Sequence, residues 1–470
     1  MRKLKLSASA IAFTAALALT PVLAASHASA QDTAPNPFVH ADGTPLTADE
    51  KIDVLQQELD TLRRQRDLDQ EVATSTAAKT PQATLDKKGL KFVSPDSKYA
   101  LSLNAQLNVD VHSFGNDGGQ FIDETQDRLL RLTFAGQAGN ASFRLVPEFG
   151  GTSSAAASIV DGYVEYKFSD LAQVRAGKFK SPLGLERLQS DPDVIWTERG
   201  HSTNLVPNRD DGIQLFGTAL SGALEYQLGV FNGASDGVNL NNDLDNKKDI
   251  AGRVFVQPFA NSDLVALQGF GIGWAGSDGE HLGNVTNTQL PSYKTPGQQT
   301  FFKYNANVFS NGKLTRSNPQ AWFYFENFGI LADYIEEKQD VKLATATAQL
   351  TNKALDVSGS WVLTGESVGY KGGVKPAHDF NPNGSGWGAV ELTARYGYTD
   401  VDNKAFTSGF ASATASASKA TSTGFGLAWY WSENLKLIAD FDHTKFAGGA
   451  AAGHNRLSED FASGRFQFRY

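Results

Sequence analysis

The sequence predicts an all-β transmembrane antiparallel β-barrel of about sixteen strands, preceded by a short helical segment. Three observations predict it. Many segments alternate apolar and polar residues, the chain is rich in Gly (45) and Phe (30), and no segment beyond its apolar start has a long unbroken apolar run. Glycines suit tight turns, and aromatic residues suit the interfacial girdles of a barrel. A helical membrane protein needs about eighteen consecutive apolar residues, so that class is excluded.

The first segment, residues 1–30, has the pattern of a secretory signal peptide. Three cations precede a short apolar run, Leu6–Leu19, which is followed by a small-x-small cleavage site at Ala28–Ala30. The apolar run is too short to span a bilayer. Removing this segment would lower the Lys and Arg count from 42 to 39, against 51 Asp and Glu, for a net charge of −12. This charge argues against nucleic-acid binding.

The next segments predict a linker (31–47), a helix (48–70) and a second linker (71–97). Thr47 followed by Glu50 fits a capping box at the start of the helix. Its apolar residues follow the spacing of a coiled-coil seam, which comprises Ile52, Leu55, Leu59 and Leu62. Two heptads are too short to be stable alone. We therefore expect a short oligomeric coiled coil in the periplasm, with a single amphipathic helix on the barrel rim as the alternative.

Residues 98–470 are predicted to form the barrel. In residues 99–111 the apolar side chains share one face and the polar side chains share the other, and the same alternation recurs at 163–168, 213–215, 224–230, 355–361 and 390–396. Because the polar faces carry charges, we expect a wet interior and a lipid-facing exterior. Unpaired strand edges are not tolerated in lipid, so the sheet should close.

The last strand carries a further signal. Phe466, Phe468 and Tyr470 alternate with polar residues, and a terminal aromatic residue resembles the assembly signal of bacterial outer-membrane barrels. We therefore expect the bacterial outer membrane as the location. Sixteen strands would allow about 23 residues for each strand and its connection, and eighteen would allow about 21.

Long polar stretches predict the outer loops of the barrel. These stretches are residues 232–249, 277–299 and 371–386. The Ala/Ser/Thr-rich run at 410–423 fits either a loop or a flexible strand pair.

Residues 176–199, AGKFKSPLGLERLQSDPDVIWTER, resemble the signature of the phosphate-selective porin O/P family. Further pieces of the chain agree in order: RLTFAG at 131, VDGYVEY at 160, NLVPNRDDGIQLFG at 204, WVLTGES at 361, GAVELTARYGYTDVD at 388 and GFGLAWYWSENLKL at 424. The resemblance implies a homotrimeric, sixteen-stranded, anion-conducting porin. It also implies a loop folded inside the pore and, as in several members, a helical stalk before the barrel.

The resemblance also implies a set of anion-binding residues. Arg187, Ser190 and Arg199 match the loop positions that contact the anion, and Asp161 matches an acidic residue on an adjacent strand. Arginine suits this role because it stays charged and binds oxyanions with two N–H groups. Asp191 departs from the family, because it replaces a second hydroxyl residue.

Nearby charges complete the expected site. Asp193 lies close to Asp191, and two carboxylates there would repel a dianion; Glu198 is expected to pair with its neighbour Arg199. The family's pore carries a ladder of arginines. The candidates here are the arginines that the alternation of each strand places on its inward face: Arg131, Arg144, Arg175, Arg253, Arg395 and Arg465. Arg209 is expected near the constriction. For every arginine of the ladder, the alternative is a structural role in which it only pairs with a neighbouring carboxylate of the wall.

The resulting function is passive uptake of phosphate, polyphosphate or a similar small anion through a porin. A general or dicarboxylate-type small-solute porin is the alternative. An outer-membrane hydrolase would need a nucleophile and a base; His201 and Ser202 are adjacent, but no GxSxG motif occurs, so we expect no enzyme, metal or cofactor. A structural tether is the remaining class, and it would not need an infolded loop.

Overall fold

The computed structural model describes residues 38–40, 43–77, 80–115, 121–151, 157–240 and 242–470. The predicted signal peptide, residues 1–30, lies outside the described residues. The chain divides into two compact units, Met1–Ala78 and Lys79–Tyr470, and each is considered separately below.

The first unit contains one long helix, α1 (Ala48–Ala77). Its N-terminus is closed by the expected capping box, in which the Thr47 amide donates to Glu50 Oε2 at 2.8 Å and the Glu50 amide donates to Thr47 Oγ1 at 3.5 Å. The Thr47 hydroxyl also donates to Glu50 Oε2, at 2.6 Å, and this bond, together with the one from the Thr47 amide, lowers the pKa of the Glu50 carboxyl. The helix continues seven residues past its predicted end at residue 70, because Glu and Ala in the segment 71–77 are compatible with helix.

The apolar seam of α1 is exposed on this unit. Ile52, Leu55, Leu59 and Leu62 are each between 47% and 65% exposed. None of the helices in the described residues combines the length and apolar character that crossing a membrane requires.

The second unit is built almost entirely of strands. They are β1 (Gln82–Asp86), β2 (Gly89–Val93), β3 (Tyr99–Gly115), β4 (Glu124–Ala138), β5 (Ala141–Glu148), β6 (Ser158–Lys167), β7 (Gln173–Phe179), β8 (Asp210–Ala219), β9 (Leu224–Phe231), β10 (Asp249–Val256), β11 (Phe270–Leu282), β12 (Ser292–Lys294), β13 (Thr300–Lys303), β14 (Val308–Phe325), β15 (Phe328–Leu343), β16 (Ala346–Val362), β17 (Ala389–Asp400), β18 (Ala417–Tyr430), β19 (Leu435–Gly448) and β20 (Glu459–Arg469). Two single-turn α-helices, α2 (Leu185–Leu188) and α3 (Lys404–Thr407), lie in loops, as do 3₁₀ turns at Asp191–Asp193, His201–Leu205, Leu220–Gly222, Val265–Leu267 and Ala451–Gly453.

Sixteen of these strands close into an antiparallel barrel, which confirms the predicted fold and strand count. They run from β3 to β11 and from β14 to β20, and the last strand pairs with the first, placing Arg465 opposite Asp110. The hairpin β1–β2 extends the sheet, because β2 pairs with β3 at residues 100–103. Part of the segment predicted as linker, residues 71–97, is therefore strand.

The surface of the barrel is inverted relative to a soluble protein. On β3, Leu101 and Val111 are 46% and 53% exposed, whereas Asn108 and Asp110 are only 1% and 0% exposed. Apolar side chains that face outward suit lipid, and polar side chains that face inward suit a water-filled lumen. The predicted alternation of faces is therefore confirmed.

The two ends of the barrel differ. The terminal end carries Tyr99 and Arg469, and the opposite end, here called the loop end, carries the connections 232–248 and 283–307. The connection 363–388 joins β16 to β17 at the terminal end, because Trp361 pairs with Phe328 there. The prediction that residues 371–386 lie with the other long loops is wrong; length and polarity do not encode which end a loop occupies.

Two of the predicted stretches contain strand residues. Residues 277–282, which are predicted as loop, belong to β11, and residues 417–423, for which a loop and a strand pair are the alternatives, belong to β18. In both stretches small or polar residues fill the inner face of a strand, which lowers the apolar content without breaking the ladder.

Apolar packing fills part of the lumen at the loop end. The short hairpin β12–β13 folds inward, where Tyr293, Phe301 and Phe302 pack with Leu183 and Leu205. The Asn204 side chain donates to the Lys294 carbonyl at 2.8 Å. This packing narrows the lumen from the loop end.

A charge on the lipid-facing side of the barrel should destabilise it. Leu130 lies mid-strand on the outer face of β4 and is 40% exposed, whereas Thr133 lines the interior. We expect Leu130→Arg to lower the free energy of unfolding by about 2–4 kcal/mol, because the cation must enter the apolar core of the bilayer. Urea unfolding in lipid vesicles, followed by tryptophan fluorescence, measures this.

The matched control is Thr133→Arg, which places the same cation in the lumen. It should change the free energy of unfolding by less than about 1 kcal/mol. Equal losses for the two variants would contradict the assignment of faces.

Candidate functional site

Residues 180–209, between β7 and β8, form a loop that folds inside the barrel. Backbone groups of this infolded loop bond to side chains of the inner wall. The Gly184 amide donates to Asn318 Oδ1 at 2.8 Å, and the Thr197 amide donates to Asp440 Oδ2 at 2.6 Å. Lys436 Nζ donates to the Val194 carbonyl at 3.0 Å. These contacts hold the loop against β14–β19, on the side away from β3–β7.

Glycine is required at one point of this contact. A Cβ at Gly200 would collide with the carboxylate of Asp356 on β16. The Gly200 amide donates to Glu186 Oε2 at 2.9 Å, which ties the two arms of the infolded loop together.

The centre of the site is Asp191, on the infolded loop. Its carboxylate contacts Arg131 of β4, Arg199 at 2.7 Å and Arg209 at 3.8 Å. Burial alone would raise the pKa of Asp191, but the surrounding cations, Arg199 first, hold that pKa well below its usual value. The structure thus brings three predicted arginines together around one carboxylate.

Arg187 lies beside this cluster without a carboxylate partner of its own. It donates to the Thr203 carbonyl at 3.1 Å and to Asn208 Oδ1 at 3.2 Å, and its Nε has no hydrogen-bond partner. Among the described residues, no carboxylate lies within 4.0 Å of its guanidinium. Burial, together with Arg199 and Arg209, lowers the pKa of Arg187 to about 9. It therefore stays protonated at neutral pH.

The cluster lies between two cavities in the lumen. A cavity of about 290 Å³ is lined by Arg187 and Arg199, and a larger one of about 770 Å³ by Ser190. Arg131, Asp191 and Arg209 line both, so they mark the border between the cavities, which we take as the candidate constriction.

Asp161 and Arg144 lie on the side of the larger cavity. Asp161 contacts Arg209 at 3.2 Å and Arg144 at 3.9 Å. Arg144 is the more exposed of the two arginines, with 42% of its side chain accessible. The acidic residue expected on an adjacent strand therefore reaches the constriction through Arg209.

Two further predicted wall arginines line the larger cavity and are paired there. Arg175 pairs with Glu165 and lies 4.5 Å from the ring centre of Tyr163. Arg253 contacts Glu225 at 3.4 Å and donates to Gln320 at 2.8 Å.

The last two predicted arginines form buried ion pairs with carboxylates of the barrel wall. Arg395 makes a two-point contact with Asp442 and donates to the Glu198 carbonyl at 2.7 Å; it lines neither cavity. Arg465 makes a two-point contact with Asp110, at 2.8 and 2.7 Å, across the closing strand pair. Both pairs are buried, which favours a structural role over a place in an anion path.

The expected pairing of Glu198 with Arg199 is wrong. Glu198 instead binds Arg128 of β4, whose NH2 donates at 3.0 Å, while Arg199 binds Asp191 and two backbone carbonyls. Neighbours in a loop often point in opposite directions, so sequence adjacency did not identify the partner.

Asp193 is also placed differently from expectation. Its carboxylate contacts Arg469 at 3.7 Å and accepts the Gly372 amide at 3.1 Å. It does not face the three arginines. The other carboxylates that contact them are Glu148, which binds Arg131, and Asp161, which binds Arg209.

Arg128 faces the pore, although the alternation of inward and outward residues did not predict it. Asn108 pairs with Leu129, but the next residue, Val109, pairs with Asp127, so Arg128 is the extra residue of a β-bulge. The bulge lets Arg128 and Arg131 both face inward although they are three residues apart. The alternation of apolar and polar residues in β4 does not predict the bulge.

The connection 363–388 supplies residues that sequence reasoning placed elsewhere. Tyr370 Oη donates to the Leu185 carbonyl at 2.6 Å, and Lys371 Nζ contacts Glu225 at 2.9 Å. This connection therefore reaches the infolded loop from the terminal end, and Lys371 lines the larger cavity.

Cations outnumber carboxylates along the larger cavity. Its lining includes four acidic residues, Asp161, Asp191, Glu225 and Glu433. Eleven basic residues line it: Lys87, Lys88, Arg131, Arg144, Arg175, Lys180, Arg209, Arg253, Lys371, Lys375 and Arg469. Basic residues thus predominate in the lining of this cavity, although the whole chain has a formal charge of −9.

His201 and Ser202 do not form a nucleophile–base pair. His201 hydrogen-bonds Thr399 Oγ1 at 3.0 Å and Ser422 Oγ at 2.7 Å, and the Ser202 amide binds Asp356. Burial first, with Arg395 nearby, lowers the pKa of His201 to about 3. His201 is therefore a neutral residue that fastens the loop to the wall.

Comparison with known proteins bears on the family and the fold of the chain. The family model for phosphate-selective porin O and P matches residues 101–470. No curated protein is found to match the sequence significantly. The outer membrane channel DcaP of Acinetobacter baumannii is similar in structure, with a TM-score of 0.51, 10% identity, and coverage of 82% of this chain and 99% of that chain.

Two other solved structures have lower TM-scores. An anion-selective porin from Comamonas acidovorans has a TM-score of 0.48 and 12% identity, and covers 79% of this chain and 100% of its own. The trimer form of OmpT of Vibrio cholerae has a TM-score of 0.49 and 10% identity, and covers 79% and 99% respectively.

Breaking the buried pair of Arg395 should destabilise the barrel more than breaking an accessible pair. We expect Asp442→Ala to lower the free energy of unfolding by about 3–5 kcal/mol, because it leaves Arg395 buried and without its counter-ion. Urea unfolding in lipid vesicles measures the loss.

Glu280→Ala is the comparison, because Glu280 contacts Lys247 at 2.6 Å and both side chains are exposed. It should lower the free energy of unfolding by no more than about 1 kcal/mol. A larger loss for Glu280→Ala than for Asp442→Ala would contradict the structural role given to Arg395.

Proposed function

Because the chain belongs to the phosphate-selective porin O and P family, we propose that it forms a water-filled, anion-preferring channel for passive uptake of phosphate, polyphosphate or similar small anions. The family and the fold indicate an outer-membrane porin channel rather than an enzyme. The anion preference and the choice of anion are the proposal.

The observation that carries the proposal is the positive lining of the larger cavity. Eleven basic and four acidic residues line it. Arg128, Arg187 and Arg199 line the smaller cavity, together with the acidic residues Glu148 and Glu198. Fixed cations along a narrow, poorly hydrated path raise the local concentration of anions and repel cations. The formal charge of the whole chain, −9, does not oppose this, because exposed charges are screened by salt.

The constriction has the chemistry that an oxyanion needs. An anion that sheds water there must regain hydrogen bonds from the wall. Guanidinium groups offer paired N–H donors that match carboxylate and phosphate oxygens. We assign Arg187, Arg199 and Arg209 as the contacts at the constriction, with Ser190 and Asp161 on the side of the larger cavity.

A general or dicarboxylate-type small-solute porin is the second candidate. Asp191 favours it, because its carboxylate already binds Arg131 and Arg199. A purely structural tether would conduct no ions, so planar-bilayer conductance separates it from both kinds of porin.

We further propose roles for the segments before the barrel. Residues 1–30 act as a secretory signal peptide, and residues 31–47 act as a linker. The protein is a homotrimer whose barrels lie in the lipid of the outer membrane. In this trimer α1 forms a coiled coil in the periplasm. The exposed apolar seam of α1 supports this, because burying it against partner helices would remove apolar surface from water.

The constriction is tested by reversing two of its charges. We expect Arg187→Glu combined with Arg199→Glu to abolish or invert the anion preference, because the narrowest part of the path would lose two cations and gain two anions. Reversal potentials in planar bilayers under a KCl gradient measure this preference.

Arg63→Glu combined with Arg66→Glu is the matched control, since it makes the same charge change on the exposed surface of α1. This control should keep the reversal potential of the unaltered protein. An unchanged reversal potential in the constriction variant would refute the assigned site.

The coiled-coil proposal concerns assembly rather than selectivity. We expect Leu55→Asn combined with Leu59→Asn to lower the temperature at which trimers dissociate, because two apolar seam residues become polar. Electrophoretic mobility after graded heating measures it. Leu68→Asn, which lies off the seam, is the control; equal effects of the two changes would count against the coiled coil.

A further inference from the structure

Asp191 occupies the place in the lumen where the cations converge. One oxygen, Oδ1, contacts Arg199 at 2.7 Å, while the other, Oδ2, contacts Arg131 and lies 3.8 Å from Arg209. Both oxygens are therefore directed at guanidinium groups, on the border between the two cavities.

A carboxylate and a permeating oxyanion compete for the same donors. Each N–H that points to Asp191 is unavailable to an incoming anion unless Asp191 moves away. A second negative group beside Asp191 is also repelled, and like charges in close contact cost several kcal/mol. The constriction therefore starts each transport event with a counter-ion of its own.

One guanidinium in this part of the loop is left without such a counter-ion. Arg187 lines the smaller cavity, donates only to the neutral oxygens of Thr203 and Asn208, and retains an unpartnered Nε. It offers a single positive charge to a solute.

We infer that Asp191 is a tethered counter-ion that lowers the affinity of the constriction for multivalent oxyanions, so that phosphate dianion crosses the constriction without being retained there. The inference rests on the proposed anion preference. On this inference the channel lets phosphate pass and does not bind it tightly. To bind at the constriction, phosphate would have to displace the Asp191 carboxylate, which is part of the chain and cannot diffuse away.

The test compares phosphate block of chloride current in single channels. Inorganic phosphate is added at mildly alkaline pH, where it is a dianion. The unaltered protein should show weak block, and Asp191→Asn should lower the half-blocking phosphate concentration about tenfold or more, because Arg199 loses its carboxylate partner and the local negative charge is removed. Arg131 keeps its ion pair with Glu148, and Arg209 keeps its ion pair with Asp161. Asp191→Ser, which removes the charge in a smaller side chain, should act in the same direction.

Asp193→Asn is the matched control. It removes the same charge two residues away, where the carboxylate contacts Arg469 and the Gly372 amide. It should keep the half-blocking concentration of the unaltered protein. An equal gain in block for Asp193→Asn would mean that overall loop charge, rather than Asp191, sets the affinity, and would overturn the inference.

The outcomes also separate this inference from the proposed function. A cation-selective reversal potential in the unaltered protein overturns the proposed function. Anion selectivity with the same phosphate block in Asp191→Asn overturns only the role of Asp191. If both Asp191 variants fail to insert as channels while Asp193→Asn inserts, Asp191 serves the fold rather than specificity, and the inference is equally overturned.

Discussion

The pairing of β20 with β3 is the constraint on which the rest of the molecule depends. Strands that cross lipid must satisfy every backbone donor and acceptor within the sheet, and only closure removes the free edges. Closure fixes the pleat of each strand, so every second side chain must face lipid and the others must face the lumen. Arg465 and Asp110, opposite each other across this pair, show the result: the closing strands bury an ion pair on the inside.

The polar inner face then serves two purposes. Against β14–β19, inward-facing Asn318, Asp356 and Asp440 accept backbone N–H groups of the infolded loop. Buried backbone groups need such partners, since an unmade hydrogen bond costs about 1–3 kcal/mol. On β4, the inward-facing Arg128 and Arg131 line the smaller cavity and bind the loop carboxylates of Glu198 and Asp191. One wall therefore binds the backbone of the loop, while the other binds its acidic side chains beside the open space.

Periodicity and motif resemblance were sufficient for the closed barrel and the infolded loop. These features depend on local rules: alternation, turn residues and a contiguous signature. Periodicity and resemblance also named Arg131, Arg199 and Arg209 as pore residues, but they did not predict that Arg131 meets the other two around Asp191. The partner of Glu198, the direction of Asp193 and the end of the barrel occupied by residues 371–386 depend on how distant segments meet, which periodicity does not encode. Ion-pair partners such as Arg128 and Glu198 are 70 residues apart in the chain.

The bulge at Arg128 has a consequence for how such a pore can change over evolution. In a regular strand the number of side chains facing inward is fixed by strand length, and strand length is fixed by membrane thickness. An extra residue in β4 breaks that proportionality, because it adds an inward cation without lengthening the strand's span or altering the number of strands. The ionic character of the pore can therefore diversify while the barrel keeps its circumference.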